Sequence, residues 1–526
     1  MNNEKWEPLK QCNGSEHENA SSKDSLSLGD RKRQQKERLR SSSFSDSLDD
    51  ISSDEDKEDH RCRRLRRLGR SSPANSNETR AVAVTREVQI PDQIRVSRSL
   101  RVPEFGPKIL FFSGGTAIKE LSACLTNYTH NSIHLITPFD SGGSSAEIRR
   151  GFNMLSVGDI RNRLLALSDR NESTTRNNPQ VIELFAHRLV KTEGLEAAEN
   201  EYLSILDGKH PLIRAVELPM RSILQNHLRW FSDRMPNDFD LQGASIGNLI
   251  ITGCFLEHNR DIVTAIFIVT KFLGVKGFCR PLTAANLHIR TLYADGREVV
   301  GQHLMNQAPK SPSTMTKSEK QLSSNDSLSN KIMRIDLVQE LNPRSGAGRQ
   351  ESQSCHIDIL SSDFVSSAAD LICFPMGSFF GSIIVNLLPV GVGKAITERR
   401  CPKVYIPNTG FDPEMNGWTL VECVSLIINM VRADLRHNYN EKGEPENVVI
   451  PVDDILNFVL LDTTNCEYSV PVDKVAIEKL GVTVIDVTLV EDNKCNRVDN
   501  AKSHSNGKSK ILNPVKVSEV LISLSS

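Results

Sequence analysis

The chain has 526 residues, 38% of them hydrophobic and 25% charged, and its 64 Lys and Arg against 66 Asp and Glu leave a formal net charge of -2. That balance supplies no global basic field for nucleic acid, and the low apolar fraction points to an ordinary core diluted by polar segments. Eleven cysteines without C-x-x-C pairs or companion His clusters exclude a disulfide framework and a cysteine zinc site, and read as reduced thiols of an intracellular protein.

Residues 1–100 predict a disordered tail, because Ser, Asp, Glu, Lys and Arg leave too little apolar surface to offset ordering entropy. Its charge comes in blocks: "RKRQQKERLR", then "DSLDDISSDEDKED", then "RCRRLRRLGR". Ser41 to Ser43 follow the first basic block, and Ser71 and Ser72 follow the last. The tail reads as a solvated segment, as one whose phosphorylation pairs with the adjacent arginines and recruits a phosphorylation-dependent partner, or as a nuclear-import signal in its second basic block. No apolar h-region opens the chain, and acidic residues argue against a transit peptide. The longest apolar run, "DIVTAIFIVTKFLGV", is too short for a membrane span and is broken by Lys271. The expectation is a soluble, cytoplasmic protein with neither a nucleic-acid nor a membrane partner.

Folded sequence is expected from about residue 101 to 526. "PKILFFSGG" reads as a buried strand running into glycines, "TAIKELSACLTN" as a helix, and "SIHLITPFD" as the next strand. Strand, glycine turn, helix, strand is the opening of a parallel α/β sheet. Helical patterning fills 180–240, and "HIRTLYADGREVVGQHL" predicts a hairpin turning at Asp295 and Gly296. The α/β pattern returns with the strand "ADLICFPMGS", the helical stretch "SIIVNLLPVGVGKAI" and the strand "KVYIPNTG". Late in the chain, "DKVAIEKL" is a helix stopped by Gly481 ahead of the strand "VTVIDVTLV". Polar insertions near 305–330 and 492–510 read as surface loops.

Six stretches carry the residue types of anion chemistry. Ser113-Gly114-Gly115-Thr116 lets backbone approach a ligand, and a helix start favours an anion, although a plain turn explains the same glycines. Asp140, Gly142, Gly143, Ser144, Ser145 and Arg149 end the second strand, where such sheets bind ligands; the bland alternative is an Asp capping the following helix. Gly158 and Asp159 open a helix with Arg161 and Asn162 in its first turn, and Asp159 as a mere N-cap stays open. The remaining three are Gly247-Asn248-Leu249, Gly377-Ser378 and Asn408-Thr409-Gly410.

Taken in order, these motifs resemble the CofD-like 2-phospho-L-lactate transferases, whose bacterial branch includes YvcK-type gluconeogenesis factors. Gly114-Gly115-Thr116, Asp140 to Ser145, Gly158 to Asn162, Gly247-Asn248-Leu249, Pro375-Met376-Gly377-Ser378, Asn386-Leu387-Leu388 and Tyr405 with Asn408 stand in the family's order. The departures are Ala117 for a glycine, Ser141 for a second aspartate, Gln302 for the hairpin glutamate and Pro375-Met376 for a glycine-proline pair.

The resemblance implies a Rossmann-like, doubly wound, mainly parallel sheet with inserted helices and a hairpin. It implies a nucleotide diphosphate-type ligand, a deazaflavin-type acceptor, Mg2+ and a homodimer. On that basis Asp140 and Asp159 are the expected catalytic and metal-holding carboxylates. Gly114, Gly115, Thr116, Gly142, Gly143, Ser144, Arg149, Arg161, Asn162, Asn248, Gly377, Ser378 and Asn408 are the expected nucleotide and phosphate contacts. The implied activity is phospholactyl transfer from a guanosine-diphospho donor to the deazaflavin, and the alternative is a YvcK-like nucleotide-sugar-binding regulator of carbon metabolism without turnover.

Overall fold

Every side chain of Ile109–Ser113 (β1) is buried, which a strand achieves only when both faces of its sheet are covered. The computed structural model of the chain describes residue 87 and residues 89–169, 178–305, 330–339, 352–442, 450–490 and 511–525. The tail before residue 87, with its serine blocks, and most of both polar insertions lie outside the described residues. All described residues belong to one compact unit, Val82–Ser526.

Seven parallel strands form the sheet: β1, Ile133–Ile136 (β2), Phe278–Pro281 (β3), Leu371–Phe374 (β7), Lys403–Tyr405 (β8), Phe458–Leu461 (β9) and Thr483–Asp486 (β10). Their order is β10-β9-β8-β7-β1-β2-β3. The chain thus builds outward from β1 through β2 to β3, returns to the other side of β1 as β7, and builds outward again. Residues alternate across the two faces as a period of two requires: Leu110 and Phe112 join one buried cluster, Ile109 and Phe111 the other. Each such side chain, moved fully out of water, contributes about 1.5–3 kcal/mol.

Between β2 and β3 the chain lays down a helical layer. It includes Gly143–Phe152 (α3), Gly158–Leu167 (α4), Pro179–Ala186 (α5), Leu195–Leu206 (α6), Pro211–Ala215 (α7), Met220–Arg234 (α8), Ile246–Glu257 (α9) and Ile262–Phe272 (α10). Helix α9 is buried from Ile246 to Phe255, as an apolar helix with no polar face must be. The apolar run singled out in the sequence is α10, started by the Asp261 carboxylate accepting from Val263 N at 2.9 Å. Among the described residues no helix is long and apolar enough to cross a membrane.

The expected hairpin is present, His288–Tyr293 (β4) pairing antiparallel with Glu298–Val300 (β5), and Gly296 takes φ +83 in the turn. A third strand, Ile332–Val338 (β6), pairs with the other side of β4 and was not anticipated. Three expectations need correction. Helix Gln93–Arg101 (α1), capped by Asp92, falls inside the segment read as tail. The helix after β1, Lys119–Leu125 (α2), starts three residues beyond Thr116. The stretch "SIIVNLLPVGVGKAI" is split: a π turn at Phe379–Ile383 and a 3-10 turn at Ile384–Leu387 stop before Pro389, and helix Val392–Glu398 (α12) restarts after Gly391 at φ +96.

Candidate functional site

Strand order reverses between β1 and β7, so the loops leaving these two neighbours diverge and open a crevice at the carboxyl edge. The loop after β1 carries Gly114, Gly115 and Thr116, and the loop after β7 carries Gly377 and Ser378. They touch through Ser382: a Cβ on Gly114 would lie 2.6 Å from its Oγ, and one on Gly377 would lie 3.6 Å from its Cβ.

Asp159 enters this crevice at the start of α4. Gly115 has to be glycine, because a Cβ there would stand 2.1 Å from Asp159 Oδ1. With that space empty, the Gly115 N–H donates to the carboxylate. Asp140 arrives from the loop after β2, its Oδ1 accepting from Gly142 N at 3.0 Å. Its Oδ2 lies 3.4 Å from where Gly158 would carry a Cβ; Asn248 Nδ2 stands 3.9 Å and Ser145 Oγ 2.6 Å from the same point. Asn248 in turn donates to Ser144 Oγ at 3.2 Å. Asp140, Asp159, Ser144, Asn248 and the first glycine loop therefore meet in one place.

Electrostatics mark the same spot. Burial pushes the Asp159 carboxyl up to about 7, and the like charge of Asp140 adds to the effect. Arg163, the Gly115 N–H and Arg161 oppose it. Arg163 is wholly buried and supports the loop from beneath, donating to Gly114 O at 2.8 Å, to Ile118 O at 3.0 Å and to Ser122. Arg161 differs. It is 4% exposed, its Nη2 donates to Asn162 Oδ1 at 2.6 Å, and its Nε and Nη1 have no partner. Burial first and Arg188 second lower its pKa to about 10, while Asp159 favours its charge. Asn248 Oδ1 also lacks a partner. Buried polar groups left unpaired are costly and uncommon, so these atoms point to a ligand.

Other expected contacts are engaged within the protein. The Arg149 guanidinium lies on the carbonyls of Phe139, Asp140 and Leu287 and on Asn286 Oδ1, and so braces the loop that presents Asp140. Asn408 grips Gly377 from both sides, accepting from its N and donating to its O at 2.8 Å each. Thr116 and Gly143 are exposed, and Gly142 and Ser378 are half-buried. Ser141, where the family pattern has a carboxylate, places its Oγ 2.8 Å from His303 Nδ1 at the end of the hairpin.

Two carboxylates were not foreseen. Glu414, 1% exposed, accepts from Phe380 N at 2.9 Å and Gly381 N at 2.7 Å. Asp412 accepts from Asn408 Nδ2 at 3.0 Å, from Glu414 N at 3.0 Å and from the backbone of Phe379. The N–H groups after the second glycine loop thus already donate to the protein's own carboxyl groups. The sequence "FDPEMNGW" contains both residues, but nothing in their spacing refers them to a loop more than thirty residues earlier. A separate cleft of about 670 Å³ runs along the β3 edge past Phe267 and Phe278 and contains none of the expected residues.

A model of the 2-phospho-L-lactate transferase CofD family matches residues 109–339 and 365–490. A Nostoc protein named "Putative gluconeogenesis factor" is 25% identical over 323 residues, 61% of this chain and 52% of its own length. The "Gluconeogenesis factor" of Bacillus subtilis is 27% identical over 308 residues, 58% of this chain and 69% of its own. The chain therefore spans about half the length of the first of these relatives. A crystal structure of a UPF0052-family protein from Bacillus halodurans superposes with a TM-score of 0.49 at 20% identity, covering 79% of this chain and 99% of that one. With both glycine loops, both aspartates and the reversing sheet inside the matched residues, the chain belongs to the CofD family.

Proposed function

We propose that the chain is a transferase of a phosphorus-containing group, acting on a nucleoside diphosphate-type donor in the switch-point crevice. The observation that supports this most is Arg161, a buried guanidinium with two unpartnered nitrogens beside two mutually repelling carboxylates. A buried, unpartnered cation beside a glycine loop at the carboxyl edge of the sheet suits a pyrophosphate. Paired carboxylates suit a hard divalent cation or an incoming hydroxyl. The residues fit magnesium: Asp140 and Asp159 offer hard oxygens, and burial together with the Asp140 charge raises the Asp159 pKa, a penalty that a bound cation would offset. Magnesium, when bound, would neutralise phosphate charge.

In the reaction proposed, the hydroxyl oxygen of a deazaflavin-type acceptor bonds to the lactyl-bearing phosphorus of a guanosine-diphospholactate donor. The bond from that phosphorus to the bridging oxygen breaks, GMP leaves with that oxygen, and the hydroxyl proton passes to a carboxylate of the pair. Arg161 holds the phosphates where the Gly114–Gly115 backbone lets them approach closely, and Asn248 and Ser144 align the ligand from the α9 side. Catalysis of this kind rests on positioning and charge.

The test incubates the full chain with magnesium, a deazaflavin and the donor, and follows GMP. Deazaflavin-dependent release that falls about 100-fold or more in a folded Asp159→Asn variant supports the transferase. No release from a folded chain that still binds nucleotide overturns it. That outcome favours a nucleotide-sugar-binding regulator, a reading to which Ser141 in place of a second carboxylate already lends weight.

A further inference from the structure

Away from the crevice, three side chains of metal-ligating type converge where α5, α6 and α7 meet. His187 ends α5, Glu201 lies on α6 and His210 caps α7. One ligand atom from each lies within 4.8 Å of the other two, and this is the only such group of three among the described residues. We propose that His187, Glu201 and His210 form a binding site for a divalent transition metal of the zinc class.

Geometry, support and access all bear on this. His187 Nε2 is 2.7 Å and His210 Nε2 3.8 Å from the same atom, Glu201 Oε1. Donors around a tetrahedral zinc bound at ~2.0–2.1 Å stand about 3.3 Å apart, so the first separation opens and the second closes by about half an ångström. The other oxygen, Oε2, accepts from Val190 N at 2.8 Å and fixes the carboxylate's orientation, the support that metal ligands require. The side chains are 26%, 19% and 20% exposed, enough to admit an ion and to leave a fourth position to water. Two imidazoles and one carboxylate are borderline ligands, matched to zinc, cobalt or nickel better than to magnesium.

Loading the site moves two protons. His187 Nε2 shares a hydrogen with Glu201, and His210 Nδ1 accepts from Leu212 N at 3.3 Å, which leaves the His210 proton on Nε2. As the metal takes each Nε2, the proton there moves to Nδ1 of the same ring, so the Leu212 N–H loses its acceptor on His210. The site also has a structural reach. His187 O accepts from Ile246 N at 3.0 Å and Leu189 N donates to Ala244 O at 2.9 Å, so a metal here clamps the segment that positions the start of α9 and Asn248.

The test uses the full chain, stripped with chelator and titrated with Zn2+ and with Co2+. One equivalent of zinc taken up, with affinity falling at least tenfold in both His210→Ala and Glu201→Gln, supports the site. No uptake, or uptake that neither substitution weakens, overturns it. Should the variants melt early, the Co2+ spectrum of the unsubstituted chain decides. Tetrahedral visible bands without a near-ultraviolet thiolate-to-cobalt band support a His, Glu, His set, and a thiolate band or no bands at all overturns it. GMP release plays no part in these readings, so this site and the transferase reading stand or fall separately.

Discussion

Asp159 sits where two demands conflict, since the fold shields it from water while Asp140 withholds a favourable partner. Its carboxyl takes up a proton near 7 in the folded chain, against 3.8 for an unperturbed group. Between those values the folded state binds more protons than the unfolded one, so stability falls as pH rises and the loss is complete above about 7. Asp159→Asn keeps an acceptor for Gly115 N–H and removes the charge. At pH 8 it should raise stability by about 1–3 kcal/mol, less than the full shift because the charge it removes also meets Arg163 and Arg161, and at pH 4 it should change little. Thermal melts at the two pH values check this; equal effects at both would refute the account. Glu414 is the opposite case, a buried carboxyl group on which two backbone N–H groups depend. Glu414→Ala leaves the Phe380 and Gly381 N–H groups unpaired at a cost of about 2–4 kcal/mol. Sulfate or phosphate should restore part of that loss, raising the melting temperature of the variant more than that of the parent chain.

Helices α8 and α9 press together at Gly253, where a Cβ would come within 1.8 Å of His227 O. Gly253→Ala must push the helices apart and should cost about 1–3 kcal/mol, measured by urea unfolding; a neutral result would mean that the interface yields. That glycine was not singled out in the sequence, because a helical glycine shows its reason only once the neighbouring backbone is known. The strands were legible for the opposite reason: "ILFF" and "LICF" are continuous apolar runs, which only a sheet covered on both faces accommodates. Strand β6 was hidden, since "IMRIDLV" carries three charged or exposed positions in seven and pairs with β4 across residues that spacing cannot connect. At the site, Asp140 could be read from glycine and carboxylate at a strand end, and Asp159 from the glycine and carboxylate that open a helix. That Arg149 and Asn408 brace backbone could not be read, because side-chain direction is set by neighbours distant in sequence.

Helix Pro514–Leu524 (α15) closes the molecule by packing on α1 and α2 over a cluster that includes Val96, Leu121, Leu125, Val517 and Leu521. Ser523 Oγ accepts from Asp92 N at 2.7 Å, joining the last described helix to the first. Deleting residues 511–526 uncovers that apolar face, and the truncated chain should lose several degrees or more of melting temperature and become aggregation-prone in light scattering. The position of β1 has a consequence for how the protein is made. It can pair with β2 almost as soon as both leave the ribosome, yet its other edge waits for β7. Lys108 N meets its partner Asp370 across 262 positions of chain. At about 5–20 residues per second, that edge stays open for tens of seconds of synthesis. Throughout that interval, a strand whose every side chain is buried in the finished fold offers unpaired backbone to any neighbour. Substitutions that weaken β7 will therefore lower the amount of folded protein a cell recovers by more than they lower the melting temperature of what is recovered.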